Sequence, residues 1–189
     1  MIKKHKIVVA VTGASGSIYA KRLLMHLESL QNQLDRVDIV FSSNAKQVWE
    51  HEIGDKSYND TSFNTYDKMD FNAPFASGSA AYTSMIIIPA SMGTIGRIAN
   101  GISDNLINRA ADVMLKERAQ LVVVARETPF NLIQLRNMTQ LTEAGAVVLP
   151  ASPSFYSRPT SVEEAVDTVV YRVLKIIGFE FDAYTWGDK

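Results

Sequence analysis

The chain has 189 residues, 47% of them apolar and 21% charged, which suits one compact globular domain spanning residues 1–189 with a sizeable buried core. Nineteen basic residues against twenty acidic ones leave a formal charge of -1 with no basic block, so a nucleic-acid backbone is a poor partner. The absence of cysteine removes disulfides, thiolate metal sites and cysteine nucleophiles together, and it fits a cytoplasmic protein.

The basic start of the chain leads into an apolar run, Ile7 to Val11, that is too short for a signal peptide or a membrane span, so a soluble protein is expected. That run reads as a first buried strand. Thr12-Gly13-Ala14-Ser15-Gly16 follows as a tight small-residue turn, and Ile18 to Leu30 as a helix. Gly13 and Gly16 permit a sharp turn and close approach of a ligand, while Ser15 and the free N–H groups of the new helix suit an anion. Similar turns also serve purely structural ends. No Gly-Lys-Ser/Thr follows at the spacing of a Walker loop.

A second strand, Val37 to Phe41, ends in Ser42-Ser43 where a dinucleotide-binding fold would carry a ribose-binding acid, which disfavours a nicotinamide cofactor. Ala45 to Glu52 reads as a helix. Gly54 to Ser79 is polar and poorly periodic, and such a long segment reads as a functional or partner-facing loop. Strands are expected at Met85 to Ile88, Leu121 to Val124 and Ala146 to Leu149, and helices at Thr94 to Ala99, Asn105 to Lys116, Leu132 to Ala144 and near Val162 to Ile177. The strands are continuous Val/Ile runs without alternation, as a sheet covered on both faces requires. Their alternation with helices predicts a Rossmann-like α/β fold, a doubly wound parallel sheet in three α/β/α layers. Ligands in such sheets bind beyond the carboxyl ends of the strands, so Thr12 to Ser17, Ser42 to Asn44, Pro89 to Thr94, Arg126 to Pro129 and Pro150 to Tyr156 are expected to converge.

Pro89-Ala90-Ser91-Met92-Gly93-Thr94 repeats the first turn's chemistry at the opening of another helix, and two such helix starts can hold a phosphate and a flat ring between them. Arg109 and Lys116 are seven residues apart, hence on one helix face. Arg126-Glu127 directly ends a buried strand, where a charged pair calls for a partner such as phosphate. Lys116, Glu117 and Arg118 also read as a solvated face. Tyr171 and Lys175 form a Tyr-x-x-x-Lys pair like that of short-chain dehydrogenases, but no matching glycine pattern accompanies it, and it reads as coincidence. The aromatic and acidic tail, Phe179 to Lys189, is either a frayed end or a C-terminal lid.

Taken together, Thr12 to Gly16, Ala76-Ser77-Gly78-Ser79, Pro89 to Thr94, Asp104-Asn105-Leu106 with Arg109 to Val113, Leu115 to Arg118, Arg126 to Pro129, Asn137-Met138, and Pro153 with Phe155-Tyr156 resemble the flavin prenyltransferases, the UbiX-like proteins once regarded as phenylacrylic acid decarboxylases. The resemblance spans nearly the whole chain and keeps motif order and spacing. It implies a flavoprotein that binds reduced FMN, joins its N5 and C6 to a dimethylallyl group from dimethylallyl monophosphate without a metal, and delivers prenylated FMN to a UbiD-type decarboxylase.

Matched residue by residue, the resemblance implies that Gly13, Ala14, Ser15, Ser42, Ser91, Met92, Gly93, Thr94 and Arg126 bind FMN, with Ser15 near the reacting atoms. Arg109, Lys116, Tyr156 and Arg172 would hold the donor phosphate, Glu127 would give or shuttle a proton, and Glu52 would be the second acid, taking the C6 proton. Breaking an allylic C–O bond builds negative charge on the departing phosphate, which fixed cations such as Lys116 stabilise. Phe71, Tyr156 and Trp186 are candidates for a π-rich wall around the allylic cation. The chain departs from relatives in carrying Phe71 where many have Trp and Ala90 where many have Cys. Family members form homo-oligomers, commonly dodecamers, with sites across subunit boundaries. The rival readings are a non-catalytic flavin carrier or regulatory subunit, and a flavin-dependent cysteine decarboxylase, whose active-site His has no counterpart after a strand here.

Overall fold

The computed structural model describes residues 4–184 and 187. Six strands, β1 (His5–Val11), β2 (Leu34–Phe41), β3 (Asn64–Tyr66), β4 (Ser84–Ala90), β5 (Gln120–Ala125) and β6 (Val147–Pro150), form one parallel sheet in the order β3-β2-β1-β4-β5-β6. The helices are α1 (Ser17–Ser29), α2 (Ser43–Ile53), α3 (Met92–Ala99), α4 (Leu106–Lys116), α5 (Leu132–Glu143) and α6 (Val162–Ile177). The strand order reverses between β1 and β4, and the crevice at that switch point is where a doubly wound sheet accepts ligands.

The period-2 alternation of the strands divides their side chains between two cores. Ile7, Val9 and Val11 of β1 pack with Leu23 and Leu27 of α1 and Val170 and Leu174 of α6, whereas Val8 and Ala10 face Ile95 of α3 and Leu106, Ala110 and Met114 of α4. Each fully buried large aliphatic side chain contributes about 1.5–3 kcal/mol relative to exposure, so β1 and β4 are held rigidly from both sides. No helix among the described residues is long and apolar enough to cross a membrane.

The expected strands and helices are present with ends shifted by at most three residues, and caps set the starts of the helices. The Ser42 and Ser91 hydroxyls accept from the Ala45 and Thr94 amides, so α2 and α3 begin two residues before the apolar pattern does. The segment from Gly54 to Ser79 differs more from expectation. It contains β3, which pairs with β2, and short 3-10 turns, one of them carrying the buried Phe75. Buried Asp38 of β2 organises it by accepting hydrogen bonds from Arg36, Asn64 and Tyr82, while Arg36 also donates to the Tyr66 hydroxyl. A three-residue edge strand held by polar contacts leaves no Val/Ile run to read in the sequence.

The opposite edge is open. The side chains of β6 are only partly buried, and α5 buries Leu141 while exposing Leu132, Ile133 and Leu135.

Candidate functional site

The loops at the carboxyl edge are joined strand by strand. The Ser42 amide donates to the Val11 carbonyl at 2.9 Å, and the Arg126 amide to the Ala90 carbonyl at 3.2 Å. Buried Thr12 links β1 to β4 across the switch point: its hydroxyl donates to the Pro89 carbonyl at 2.7 Å and accepts from the Ser91 amide at 2.8 Å. The Ala151 amide continues the line to the Ala125 carbonyl at 2.9 Å, and the Tyr19 hydroxyl donates to the Ala151 carbonyl at 3.3 Å. Thr12, Gly13, Ser42, Ser91 and Arg126 are thereby brought to one rim, with Ala14, Met92, Gly93 and Thr94 in the same turns.

Gly13 passes so close to α2 that a Cβ there would stand 2.4 Å from the Asn44 Cβ, an overlap that neither backbone can relieve without moving. Only glycine lets the first turn lie against the start of α2. The first turns of α2 and α3 leave the amides of Ser43, Asn44, Met92 and Gly93 without intrahelical acceptors, so two positive helix ends meet at the rim. Arg126 is half-buried beside them, and its guanidinium forms no ion pair or side-chain hydrogen bond among the described residues. A partly desolvated cation beside orphan amides is a built receptor for an anion.

The start of α1 corrects the sequence reading. Its amides are not free for an external anion, because the Glu52 carboxylate accepts from the Gly16 amide at 2.9 and 3.0 Å and from the Ser17 amide at 2.7 Å. Partial burial pushes the Glu52 carboxyl up, but hydrogen bonds from the Ser15 hydroxyl and the Ser17 and Gly16 amides outweigh it and hold the acid below its ordinary range. Glu52 is therefore a carboxylate at neutral pH and is held against Ser15. The helix-start amides left open at the rim are those of α2 and α3.

Tyr156 and Arg172 both line a cavity elsewhere, of about 870 Å3, between α6, residues 154–159 and the tail. The segment from Ala151 to Tyr156 runs from the rim into this cavity, and the Ser154 amide fixes it on the Thr168 hydroxyl of α6 at 2.9 Å. Glu127 is half-buried next to Arg126, its carboxylate accepting from the Thr128 amide at 3.0 Å.

Lys116 is not brought to the rim by its own chain, and the contacts of Arg109 are with other residues. Arg109 donates to the Ala76 carbonyl and pairs with Asp112, both at 3.0 Å, and Lys116 lies 3.4 Å from Glu117. Lys116 ends α4 four residues before Gln120, which opens β5 at the amino edge of the sheet, whereas Arg126 follows the other end of that strand. Six residues of strand separate those ends by roughly 20 Å, well beyond the reach of a lysine side chain. Phe71 is exposed in the loop that covers the start of α4, where the Lys68 carbonyl accepts from the Leu106 amide. Trp186 lies outside the described residues.

Tyr19 escaped sequence reasoning. Its ring covers Gly16, where an added Cβ would come within 2.9 Å of it; burial raises the phenol's pKa, and nearby Arg126 partly offsets that. A signal existed: the third position after a helix-starting glycine projects over the first turn, back toward the rim. The three histidines lie elsewhere, with His5 on Phe179, His26 on Asp167 and His51 exposed on α2.

The family model described as Flavoprotein matches residues 1–174. A flavin prenyltransferase UbiX of Thermoplasma acidophilum is 46% identical over 175 residues, covering 92% of this chain and 94% of that protein. The chain belongs to the UbiX-like flavin prenyltransferases of the Flavoprotein family. Among solved members, the structure of AnUbiX (PadA1) in complex with FMN and dimethylallyl pyrophosphate superimposes with a TM-score of 0.89 at 36% identity, covering 98% of this chain and all of that one. A dodecameric FMN-dependent UbiX-like decarboxylase of Escherichia coli O157:H7 gives 0.89 at 37% identity, over 95% and 98% of the two chains. Over nearly the whole chain, the fold is therefore that of the UbiX structures.

Proposed function

We propose that this chain is a flavin prenyltransferase that joins a dimethylallyl group to N5 and C6 of reduced FMN and yields prenylated FMN for a UbiD-type decarboxylase in the cytoplasm. The observation that carries the reading is the pairing of two separate anion receptors. One is the backbone rim with Arg126, and the other is the Tyr156–Arg172 cavity, joined to it by the segment from Ala151 to Tyr156.

The rim fits FMN on its own chemistry: orphan amides and an unpaired guanidinium for its phosphate, on a first turn that Gly13 lets lie against the start of α2. When bound, reduced FMN supplies the nucleophilic N5 and C6 atoms. Ser42, Ser91, Met92, Gly93, Thr94 and Arg126, together with Gly13, Ala14 and Ser15, would bind and orient it. Tyr156 and Arg172 hold the phosphate of dimethylallyl monophosphate and stabilise the charge it gains as the allylic C–O bond breaks. Glu127 passes the N5 proton toward the departing phosphate. Glu52, ionised and held on Ser15, accepts the proton lost from C6. We assign Phe71 and Tyr156 to shielding the allylic carbon.

Arg109 and Lys116 serve this reaction through assembly. Lys116 lies at the far end of the sheet from its own rim, so we assign it to the donor phosphate of a neighbouring copy, in a homo-oligomer like the dodecameric relative. The exposed apolar residues of α5 are suited to such contacts. Mixing two inactive variants, Lys116→Ala and Arg126→Ala, is expected to restore measurable turnover, because some interfaces then combine an intact rim with an intact lysine. No recovery in a confirmed mixed oligomer would return Lys116 to a structural role.

The decisive experiment supplies the purified protein with reduced FMN and dimethylallyl monophosphate without air. Mass spectrometry is expected to detect a flavin enlarged by one C5H8 unit. Unchanged FMN with both ligands demonstrably bound would instead identify a flavin carrier.

A further inference from the structure

The Tyr171-x-x-x-Lys175 pair, without a place in the reaction above, has a structural partner in the tail. The chain leaves α6 through Gly178 in the left-handed conformation, φ 96°. Phe179 is then buried in a stack on His5, with ring centroids 4.4 Å apart. Buried Gln33 grips the next residue twice: its Nε2 donates to the Glu180 carbonyl at 2.6 Å, and its Oε1 accepts from the Glu180 amide at 2.9 Å. Phe181 is held by α6 itself. The Lys175 ammonium donates to its carbonyl at 2.7 Å and lies 4.6 Å over its ring, while the Tyr171 ring meets it at 5.3 Å. Residues four apart lie on one helix face, so Tyr171 and Lys175 act on Phe181 together.

Tyr171 is itself braced. Its ring lies edge-on to His26, 4.9 Å away, and His26 and Arg22 share the Asp167 carboxylate. Past Phe181, Tyr184 lines the cavity together with Tyr156, Tyr171, Arg172 and Lys175. The described part of the tail is thus anchored at three successive residues, and Ala183 and Tyr184 beyond them line the same cavity as Tyr156 and Arg172.

We propose that Tyr171, Lys175 and Phe181 form a clasp that makes the C-terminal segment the outer wall of the donor cavity, and that all three are positioning residues for the prenyl donor. This rests on the reading of Tyr156 and Arg172 as the donor-phosphate site. A dimethylallyl ester fills only part of such a cavity, so the wall has two tasks: to hold the ester against Arg172 and to keep water from the allylic carbon. If the wall fails, water competes with the flavin. The C–O bond of the ester breaks, water's oxygen bonds to the allylic carbon, its proton goes to the phosphate, and dimethylallyl alcohol and inorganic phosphate leave. Flavin binding at the rim is untouched, because no clasp residue contacts it.

The test uses the full chain with reduced FMN and dimethylallyl monophosphate, measuring donor KM, FMN affinity and the ratio of dimethylallyl alcohol to prenylated flavin. Phe181→Ala is expected to raise donor KM about tenfold and to raise the alcohol ratio severalfold, with FMN affinity within about twofold of the parent. Lys175→Met, a surface change that keeps the apolar stem and is safe for folding, is expected to move both donor readouts the same way by about threefold, and Lys175→Arg to restore them. Donor KM and alcohol ratio equal to the parent's in folded Phe181→Ala and Lys175→Met would overturn the clasp, as would an equal loss of FMN affinity. A parent protein that binds FMN yet makes no prenylated flavin would overturn the donor-site reading instead, so the two failures are distinguishable.

Discussion

The rim and the cavity, the two anion receptors of the proposed function, are built from different materials. The rim is backbone: amides at the starts of α2 and α3, the Thr12 bridge, and a glycine whose missing side chain is filled by Asn44, all set on strands buried from both faces. The cavity is side chain: Tyr156, Arg172 and the clasp residues, mounted on one helix and a tail. A receptor made of backbone cannot be tuned without moving the fold, whereas one made of side chains can change its ligand one residue at a time. A shared nucleotide ligand suits the first kind, and a small variable donor suits the second.

The sharpest way to break the contrast is Gly13→Val. Overlap with Asn44 forces the turn and α2 apart, and the expected outcome is loss of FMN binding by a hundredfold or more together with about 1–3 kcal/mol of stability, checked by flavin fluorescence titration and thermal unfolding. Next come the two arginines as a matched pair. Arg126→Met is expected to weaken FMN binding by about 10- to 100-fold, the worth of a charged hydrogen-bonding group, and Arg172→Met to raise donor KM by about tenfold while leaving FMN affinity within about twofold. Equal effects of the two on both ligands, measured by titration and steady-state kinetics, would dissolve the distinction between the receptors.

The smallest effect concerns Glu52, whose side chain meets water. Its carboxyl is held below the ordinary range in the folded protein, so the stabilisation is fully present above the unfolded value near pH 4.5 and is lost as the pH falls through the lower, folded value. Glu52→Gln is therefore expected to cost about 1 kcal/mol at neutral pH, discounted for solvent exposure, and the gap to the parent should close in acid. Chemical denaturation at several pH values measures it. A gap independent of pH would mean that the charge of Glu52 does not matter to the start of α1.

Much of the rim was legible in the letters because local rules write it. Val/Ile runs mark strands buried on both faces, and Ser42 and Ser91 mark caps that depend only on their neighbours in sequence, whereas Gly13 reads as a turn although its need for glycine comes from Asn44. The edge strand β3 was not legible, since Asp38, Arg36 and Tyr82 hold it from residues distant in the chain. Nor was the occupation of the α1 amides by Glu52, which needs a second helix laid against the first.

The sequence by itself determined the doubly wound sheet and its glycine and hydroxyl turns, because periodicity and capping act over a few residues, and its ordered motifs carried the family resemblance. Only the tertiary structure decided which of those turns remained open to an anion, that Lys116 lies a sheet's length from its own rim, and that Tyr171 and Lys175 face a tail rather than a nicotinamide. Contacts of that kind join residues distant in sequence, and the geometry that creates them exists only once the layers have packed.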